Sequence, residues 1–397
     1  MRPLLIRDVC ITTSVGAGTA ATLAALKSGR SGLRPCDFET ADLPTHIGEI
    51  HGLDDMRIEG ALAGFDCRNN RLAETALRQD GFEAAVGAAR RRHGPHRIGV
   101  FLGTSTAGIL QSELSYRARN PDSGALPIWF DYQRTHNTYS LAGFVAQRFD
   151  LRGPSVVISC ACASTAKAFG SAARMIDAGL CDAAIVGGAD SLCLTTLYGF
   201  QSLNLIAPGP CRPFDADRDG ISIGEAAGFA LLERAESGAG ADDLFVLGIG
   251  ESNDAYHMSS PHPEGIGARL AMERAIASAG IGPADIDYLN LHGTATRVGD
   301  AAEDRAVFEL FGDATPCSST KGQTGHTLGA AGIVEAIISL LAIRHGMIPA
   351  TAITTTIDPD FRSLHVTTAA PARLDRAMSN SFGFGGSNCS LILGRML

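Results

Sequence analysis

Aromatic residues are scarce, at 6% of 397 residues with a single tryptophan. Small residues are abundant instead. There are 46 glycines, so tight turns and close backbone packing are expected. Bulky aliphatic residues alternate with small ones, which suits layered sheets and helices better than an all-β sandwich. Basic charge is also missing. The formal net charge is -9, and the only basic run is short, Arg90 to Arg92. Phosphate binding draws on clustered Lys and Arg, so a nucleic-acid partner is excluded and the run reads as a solvated helix end. No apolar run reaches membrane-spanning length without charge or glycine breaks. Residues 1–7 lack the long apolar region of a signal peptide, and Asp8 follows at once. Residues 11–26 look apolar but are rich in Gly, Ala and Thr, and they read as a strand end, a turn and a helix. Ten cysteines show no framework spacing, which indicates reduced thiols and a cytoplasmic location. Cys160 and Cys162 stand too close for a zinc knuckle and no second pair completes one, so no metal is expected.

Strand-like and helix-like runs alternate, which argues for an α/β fold. The strands are expected at 4–12, 98–102, 156–159, 183–187, 228–232, 244–249, 286–291 and 390–393. Several are short, continuous apolar runs, as in sheets buried on both faces. Helices are expected at 20–28, 71–91, 164–178, 267–278, 301–311 and 328–344. A Gly/Ala/Ser/Asp stretch at 236–243 is the cleanest linker. It divides the chain into residues 1–240 and 241–397, each with its own alternation. Both parts close on a strand of similar character, which hints at a duplicated fold.

The segment from Val156 to Lys167 is a buried strand running into a helix through small residues, with Gly179 as the helix stop. A cysteine at the helix start faces free backbone N–H groups and the positive dipole end. That favours a thiolate and lowers the pKa from its free value of ~8.5, giving a nucleophile for acyl transfer. Cys162 is preferred over Cys160 because it lies nearer the helix start. Small core cysteines are the competing reading.

Two histidines stand in comparable contexts. The strand at 286–291 empties into His292-Gly293-Thr294-Ala295-Thr296. There the glycine allows close backbone approach and the threonines offer hydroxyls to a polar ligand. The segment from Ser318 to His326 opens a long apolar helix that Gly346 ends. At a helix N-terminus the dipole disfavours imidazolium, so His326 is expected neutral, with one N–H able to polarise a carbonyl. Strand carboxyl ends are where α/β sites gather. The other histidines, such as His93 and His96, read as structural or surface groups. Near the C-terminus, Asn380 to Asn388 is too glycine-rich for a helix or ordinary strand. It reads as a tight turn, or as a backbone nest able to hold an oxyanion. Cys211 to Gly220 lacks the EF-hand spacing and reads as a loop pinned by Arg–Asp pairs.

Taken together, these segments resemble the β-ketoacyl-[acyl-carrier-protein] synthases of types I and II, members of the thiolase-like fold. The matches run in order along nearly the whole chain. They include Gly29-Arg30-Ser31-Gly32, Leu151-Arg152-Gly153-Pro154-Ser155, the Ala161-Cys162-Ala163 elbow and Gly187-Gly188-Ala189-Asp190. Further on come Arg212-Pro213-Phe214-Asp215, Gly224-Glu225-Ala226-Ala227-Gly228, His292-Gly293-Thr294, Lys321 to Gly332, and Ser381 to Asn388. The resemblance implies a five-layered α/β/α/β/α arrangement of two duplicated halves. It also implies decarboxylative condensation of an acyl group with malonyl-acyl-carrier protein, in fatty-acid, polyketide or aryl-polyene synthesis.

Under that resemblance Cys162 matches the acyl-accepting nucleophile, and His292 and His326 the pair that bind the malonyl thioester carbonyl. Lys321 is similar to the family lysine beside them, and Glu303 to its acidic partner. Backbone N–H groups of Cys162 and Phe384 resemble the oxyanion hole, and Phe384 also the ring gating the acyl pocket, with Phe382 close by at the substrate. Thr294 and Thr296 resemble the hydroxyls that contact phosphopantetheine, which arrives on the carrier, so no cofactor of the protein's own is implied. The implied partners are an acyl carrier protein, for which a local basic patch such as Arg90 to Arg92 could serve, and a second subunit. That subunit would be another copy, or a chain-length-factor-like protein in a heterodimer.

Some residues depart from the usual pattern. They are Lys167 after the elbow, Arg297 after the histidine motif, and a polar Gly103-Thr104-Ser105-Thr106-Ala107-Gly108. Thr106 falls where a relative lines its acyl pocket. With residues 193–200, this is similar to the branch linked to aryl-polyene and related pigments, so an unsaturated or aryl-capped chain is expected. A non-catalytic, chain-length-controlling subunit is the alternative, but such subunits lack the nucleophile. A dinucleotide oxidoreductase is a remote second, suggested by Gly16-Ala17-Gly18 after the first strand with Glu39 as ribose acid. Thiolases and type III synthases share the fold but would carry Asn or a second Cys in place of His326.

Overall fold

The computed structural model describes residues 1–235, 240 and 242–396. Five strands form one sheet: β1 (Leu4–Thr13), β2 (Ile98–Gly103), β3 (Ser155–Ile158), β4 (Ala183–Asp190) and β5 (Ala226–Arg234). Their order is β3-β2-β4-β5-β1, in which β5 runs antiparallel to both β1 and β4, and β2 runs parallel to both β4 and β3. The second half supplies β6 (Phe245–Asn253), β7 (Tyr288–Asn290), β8 (Pro316–Ser318), β9 (Leu364–His365), β10 (Arg376–Gly383) and β11 (Ser387–Gly394). Here the order is β9-β8-β7-β10-β11-β6, with β11 antiparallel to β6 and β10, and β7 parallel to β10 and β8. First, last, penultimate, second and third strands thus occupy the same places with the same directions in both halves. The duplication hinted at by the closing strands is real at the level of topology. Leu4 and Leu5 pair with Val246 and Phe245, which joins the two sheets at their first strands.

The helices are α1 (Thr19–Ser28), α2 (Arg68–Leu77), α3 (Phe82–His93), α4 (Ile109–Arg117), α5 (Tyr139–Arg148), α6 (Ser164–Asp177), α7 (Leu194–Ser202), α8 (Ile266–Ala279), α9 (Arg297–Phe311), α10 (Lys321–Thr324) and α11 (Ala331–His345). α2, α3 and α5 cover one face of the first sheet, and α8 and α9 cover the far face of the second. α6 and α11 lie between the sheets, giving five layers. A helix covered on every side must be apolar on every side. Accordingly, all residues of α11 from Ala331 to Ile343 are buried. The span Leu328–His345 is long and apolar enough to cross a membrane, and it is packed inside this core. The two central helices cross closely, since a Cβ on Gly332 would lie 2.6 Å from the Ala166 nitrogen.

All eight expected strands form, within a few residues of their expected bounds. The helix expected over 71–91 is two helices, broken where Asp80 (φ 57°) and Gly81 (φ 80°) turn left-handed. Helices α4, α5 and α7, and strands β8, β9 and β10, are not among the elements expected from the sequence. β10 corrects the reading of 380–388 as a bare turn. Asn380 to Gly383 are ladder residues paired with Ser387 to Ser390, and only Phe384–Gly386 forms the turn. The expected linker at 236–243 falls largely on 236–239 and 241, which lie outside the described residues. β1 has antiparallel neighbours on both sides, and Gly16–Ala17 folds back onto Thr12 and Thr13. A dinucleotide fold needs a parallel β-α-β unit at that place, so that reading is rejected. Arg90 pairs with Asp150 and Arg92 with Glu233, which makes the basic run a paired helix end. In the 211–220 loop Arg212 reaches Asp215, as expected. Arg218 instead reaches out to Asp358 at 2.6 Å and Asp300 at 3.8 Å.

Candidate active site

β3 ends at an elbow. Ala161 adopts φ 47°, an uncommon conformation for a residue with a Cβ, and it turns Cys162 toward the start of α6. Ser164 locks the elbow: its hydroxyl donates to the Ala161 carbonyl at 2.6 Å and accepts from the Cys160 N–H at 2.9 Å. The Cys162 thiol is 5% exposed. Burial pushes it up, to about 12, against the opposing pull of the Lys321 charge and the Phe384 N–H. The lowered value expected from the helix start is therefore corrected: burial is the largest influence on this thiol.

His326 lies between α10 and the short turn Leu328–Ala330 that leads into α11. Its backbone is joined to the other half of the molecule, donating to Ser222 and accepting from Gly224 at 2.8 and 2.9 Å. That places its Nε2 3.0 Å from the Cys162 Sγ. The ring is held well below its ordinary pKa, as expected, but through burial and the Lys321 charge.

His292 follows β7, so it and Cys162 both stand at carboxyl ends of parallel strands. Gly293 has φ 35°, and a Cβ there would lie 2.5 Å from Ser319, so the turn requires glycine. Glu303 on α9 accepts the N–H groups of His292 and Gly293 at 2.8 and 2.7 Å. Lys321 on α10 donates to the His292 carbonyl and lies 3.4 Å from its Nδ1. Burial, then Lys321 and His326, keep the His292 ring uncharged at neutral pH. Lysine has only donors, so a hydrogen bond between these two atoms has Nδ1 as its acceptor and leaves the ring hydrogen on Nε2.

The carboxylate that pairs with Lys321 is Glu335 on α11, not Glu303. Glu335 is the functional residue that sequence reasoning missed. It sits inside the most apolar helix of the chain, where a lone charge must have a partner, and that was the available signal. Burial raises its carboxyl to about 7, with Lys321 opposing.

Cys162, His292, His326, Thr294, Thr296, Phe382 and Phe384 line one cavity of ≈ 360 Å³. The two imidazoles meet edge to face at 5.3 Å, and Phe382 lies 6.1 Å from His292. The Thr294 and Thr296 hydroxyls are 3.1 Å apart. Gly383 packs on the elbow, where an added Cβ would stand 3.2 Å from the Cys162 nitrogen. Thr106 is not among the lining residues. Its hydroxyl and N–H both bond Asp190 at 2.9 Å. Asp190 also takes the Thr104 hydroxyl and, across the two halves, the N–H of Gly329 at 2.6 Å. Lys167 pairs with Glu251 at 3.1 Å.

The chain is similar to known proteins along its whole length. The profile "Beta-ketoacyl synthase, N-terminal domain" matches residues 69–238, and "Beta-ketoacyl synthase, C-terminal domain" matches 245–355. "3-oxoacyl-[acyl-carrier-protein] synthase, mitochondrial" of Arabidopsis thaliana is 42% identical over 63% of this chain and 58% of its own length. "3-oxoacyl-[acyl-carrier-protein] synthase 2" of Vibrio cholerae is 33% identical over 100% of this chain and 99% of its own. The solved structure "Ketosynthase (ApeO) in Complex with its Chain Length Factor (ApeC) from Xenorhabdus doucetiae" aligns at a TM-score of 0.90. It is 38% identical and covers 100% of this chain and 98% of that one.

Proposed function

The chain belongs to the β-ketoacyl synthase family, condensing enzymes of fatty-acid or polyketide synthesis, and we propose that Cys162 is its acyl-accepting nucleophile. The observation that carries this is the 3.0 Å approach of the Cys162 Sγ to His326 Nε2, beside His292 in one cavity. In the first step Sγ attacks the thioester carbonyl of an acyl carrier. The carrier thiol leaves with the cysteine's proton and an acyl-Cys162 thioester remains. Malonyl carrier then enters, with Thr294 and Thr296 bonding its phosphopantetheine. Its thioester oxygen sits against the neutral histidines, whose N–H donors offset the negative charge as carbon dioxide departs and an enolate forms. The enolate carbon attacks the acyl-Cys162 carbonyl, whose oxyanion rests on the Cys162 and Phe384 N–H groups. Collapse frees the thiolate, which regains a proton, and the β-ketoacyl product stays on the carrier.

The remaining proposals follow from the same reading. The steps above use no metal and no cofactor of the protein's own. Lys321 and Glu335 orient His292, and Glu303 holds its turn. The boundary between halves falls near 240/241, supported by the repeated topology. The enzyme works as a dimer in the cytoplasm, either as two copies or with a chain-length-factor-like subunit. The complex of ApeO with its chain length factor supports the second of these, and an unsaturated or aryl-capped acyl chain rests on the resemblance carried by residues 103–108 and 193–200. A purely chain-length-controlling role is disfavoured because the nucleophile and both histidines are assembled. Incubation with a panel of acyl carriers, read by intact and peptide mass, tests the reading. An acyl adduct on Cys162, absent in Cys162→Ala, supports it, and no adduct from any donor overturns it. Acceptance of long saturated chains only would overturn the unsaturated or aryl-capped assignment.

A further inference from the structure

A second cavity, of ≈ 500 Å³, shares no lining residue with the catalytic one. It opens where the joined first strands β1 and β6 meet the last turns of α6 and α8. Leu4, Ala173, Ile176 and Ile249 give it apolar walls, and four arginines stand there with two carboxylates, Asp177 and Glu251. Positive charge is thus in excess at this place, in a chain whose formal net charge is -9.

Hydrogen bonds fix where the cations stand. Three of them converge on Glu251. Arg174 Nη1 donates to its Oε1 at 3.0 Å, Lys167 Nζ to its Oε2 at 3.1 Å, and Arg274 Nη1 to its backbone carbonyl at 2.6 Å. One carboxylate cannot neutralise three cations, so two positive charges are left over. The other carboxylate, Asp177, is 3.6 Å from Arg2 in a pair that is largely exposed on both sides. Arg234, which also lines the cavity, donates to the Ile176 carbonyl, and its Nε is buried without a partner. Among the described residues, Arg234 and Arg274 bond only carbonyl oxygens and stand in no ion pair.

A guanidinium carries five donors in a planar fork that matches a phosphate. Arg274 spends one nitrogen on the Glu251 carbonyl, and that shared partner brings it beside Arg174. A phosphate monoester carries about −1.5 to −2 charges at neutral pH, which is the size of the excess around Glu251. We propose that this cavity binds a phosphomonoester of a small apolar alcohol, with the phosphate on Arg174 and Arg274 and the hydrocarbon group against the apolar walls. The site is independent of the condensation reading.

Calorimetric titration of the full chain at low salt with inorganic phosphate, butyl phosphate and succinate tests it. No acyl donor is present, so a negative result leaves the condensation reading standing. Butyl phosphate should bind saturably and more tightly than inorganic phosphate, because only it reaches the apolar walls. Succinate, whose two charges sit at opposite ends, should bind more weakly than butyl phosphate. Arg174→Gln and Arg274→Gln each remove one fork at an exposed position, where folding is not at stake. Each should weaken butyl phosphate binding about tenfold, the loss of one charge-assisted hydrogen bond. In wild type, the ¹⁵N NMR signal of Arg274 Nε–H, assigned by its absence from Arg274→Gln, should shift as butyl phosphate is added. No saturable binding, an unmoved Arg274 signal, or equal affinity in wild type and both variants would overturn the site. Succinate binding as tightly as butyl phosphate would overturn the phosphate assignment, and inorganic phosphate doing so would overturn the apolar one.

Discussion

At the scale of single residues, burial governs the chemistry of Cys162. Its position before α6 suggests an activated thiolate, yet burial dominates and holds the thiol near 12. The reactive thiolate fraction falls tenfold for each pH unit below that value. Iodoacetamide labelling of Cys162 in the free enzyme should therefore climb about tenfold per unit from pH 8 to pH 10 without levelling. A plateau near pH 8 would show that the helix start and Lys321 win after all. Glu303 makes a second residue-scale case. Its two oxygens each accept one N–H of the His292 turn, whereas the amide in Glu303→Gln has a single acceptor oxygen. One buried N–H is then left unpaired, at about 1–3 kcal/mol in urea unfolding, with a parallel loss of condensation rate. Unchanged stability would mean that the turn is held by other groups.

Secondary-structure elements show where tertiary contact overrides local pattern. α11 looks like any long apolar helix, and only its place between two sheets explains why Glu335 is tolerated inside it. The crossing of α6 and α11 depends on Gly332, because any side chain there collides with the Ala166 backbone. Gly332→Val should cost about 1–3 kcal/mol or more and lower the urea midpoint. It should also disturb labelling of Cys162, which stands two residues before α6. A variant as stable as wild type would show that the helices can separate freely. β10 teaches the opposite lesson: Ser379, Asn380 and Ser381 are polar yet buried. Asn380 is satisfied by Glu303 and Ser390, partners distant in the chain, so no local periodicity announces this strand.

Across the whole molecule, the two halves meet at the site. Asp300 on α9 accepts the Phe214 N–H from the first half and the Ala295 N–H from the second, at 2.7 and 3.1 Å. Burial raises its carboxyl from 3.8 to about 7, with Phe214, Arg218 and Ala295 pulling the other way. The folded state thus binds this proton more tightly than the unfolded one. The group's contribution is full below about pH 4 and is lost as pH rises toward 7. Asp300→Asn should flatten that part of the pH dependence of the urea midpoint. Parallel losses in variant and wild type would assign the fall to other groups.

The residues themselves settled the alternation of strands and helices, the nucleophile's segment and both histidine segments. Each of these is written in a continuous stretch of chain, as an apolar run, a glycine turn or an ordered motif. Tertiary structure alone decided that Lys321 answers to Glu335 and that Thr106 serves Asp190 and not the cavity. It also decided that the thiol is buried enough to stay protonated. Those outcomes depend on which distant groups share a desolvated space, and charge in such a space is governed by its neighbours in three dimensions, which a linear pattern does not record.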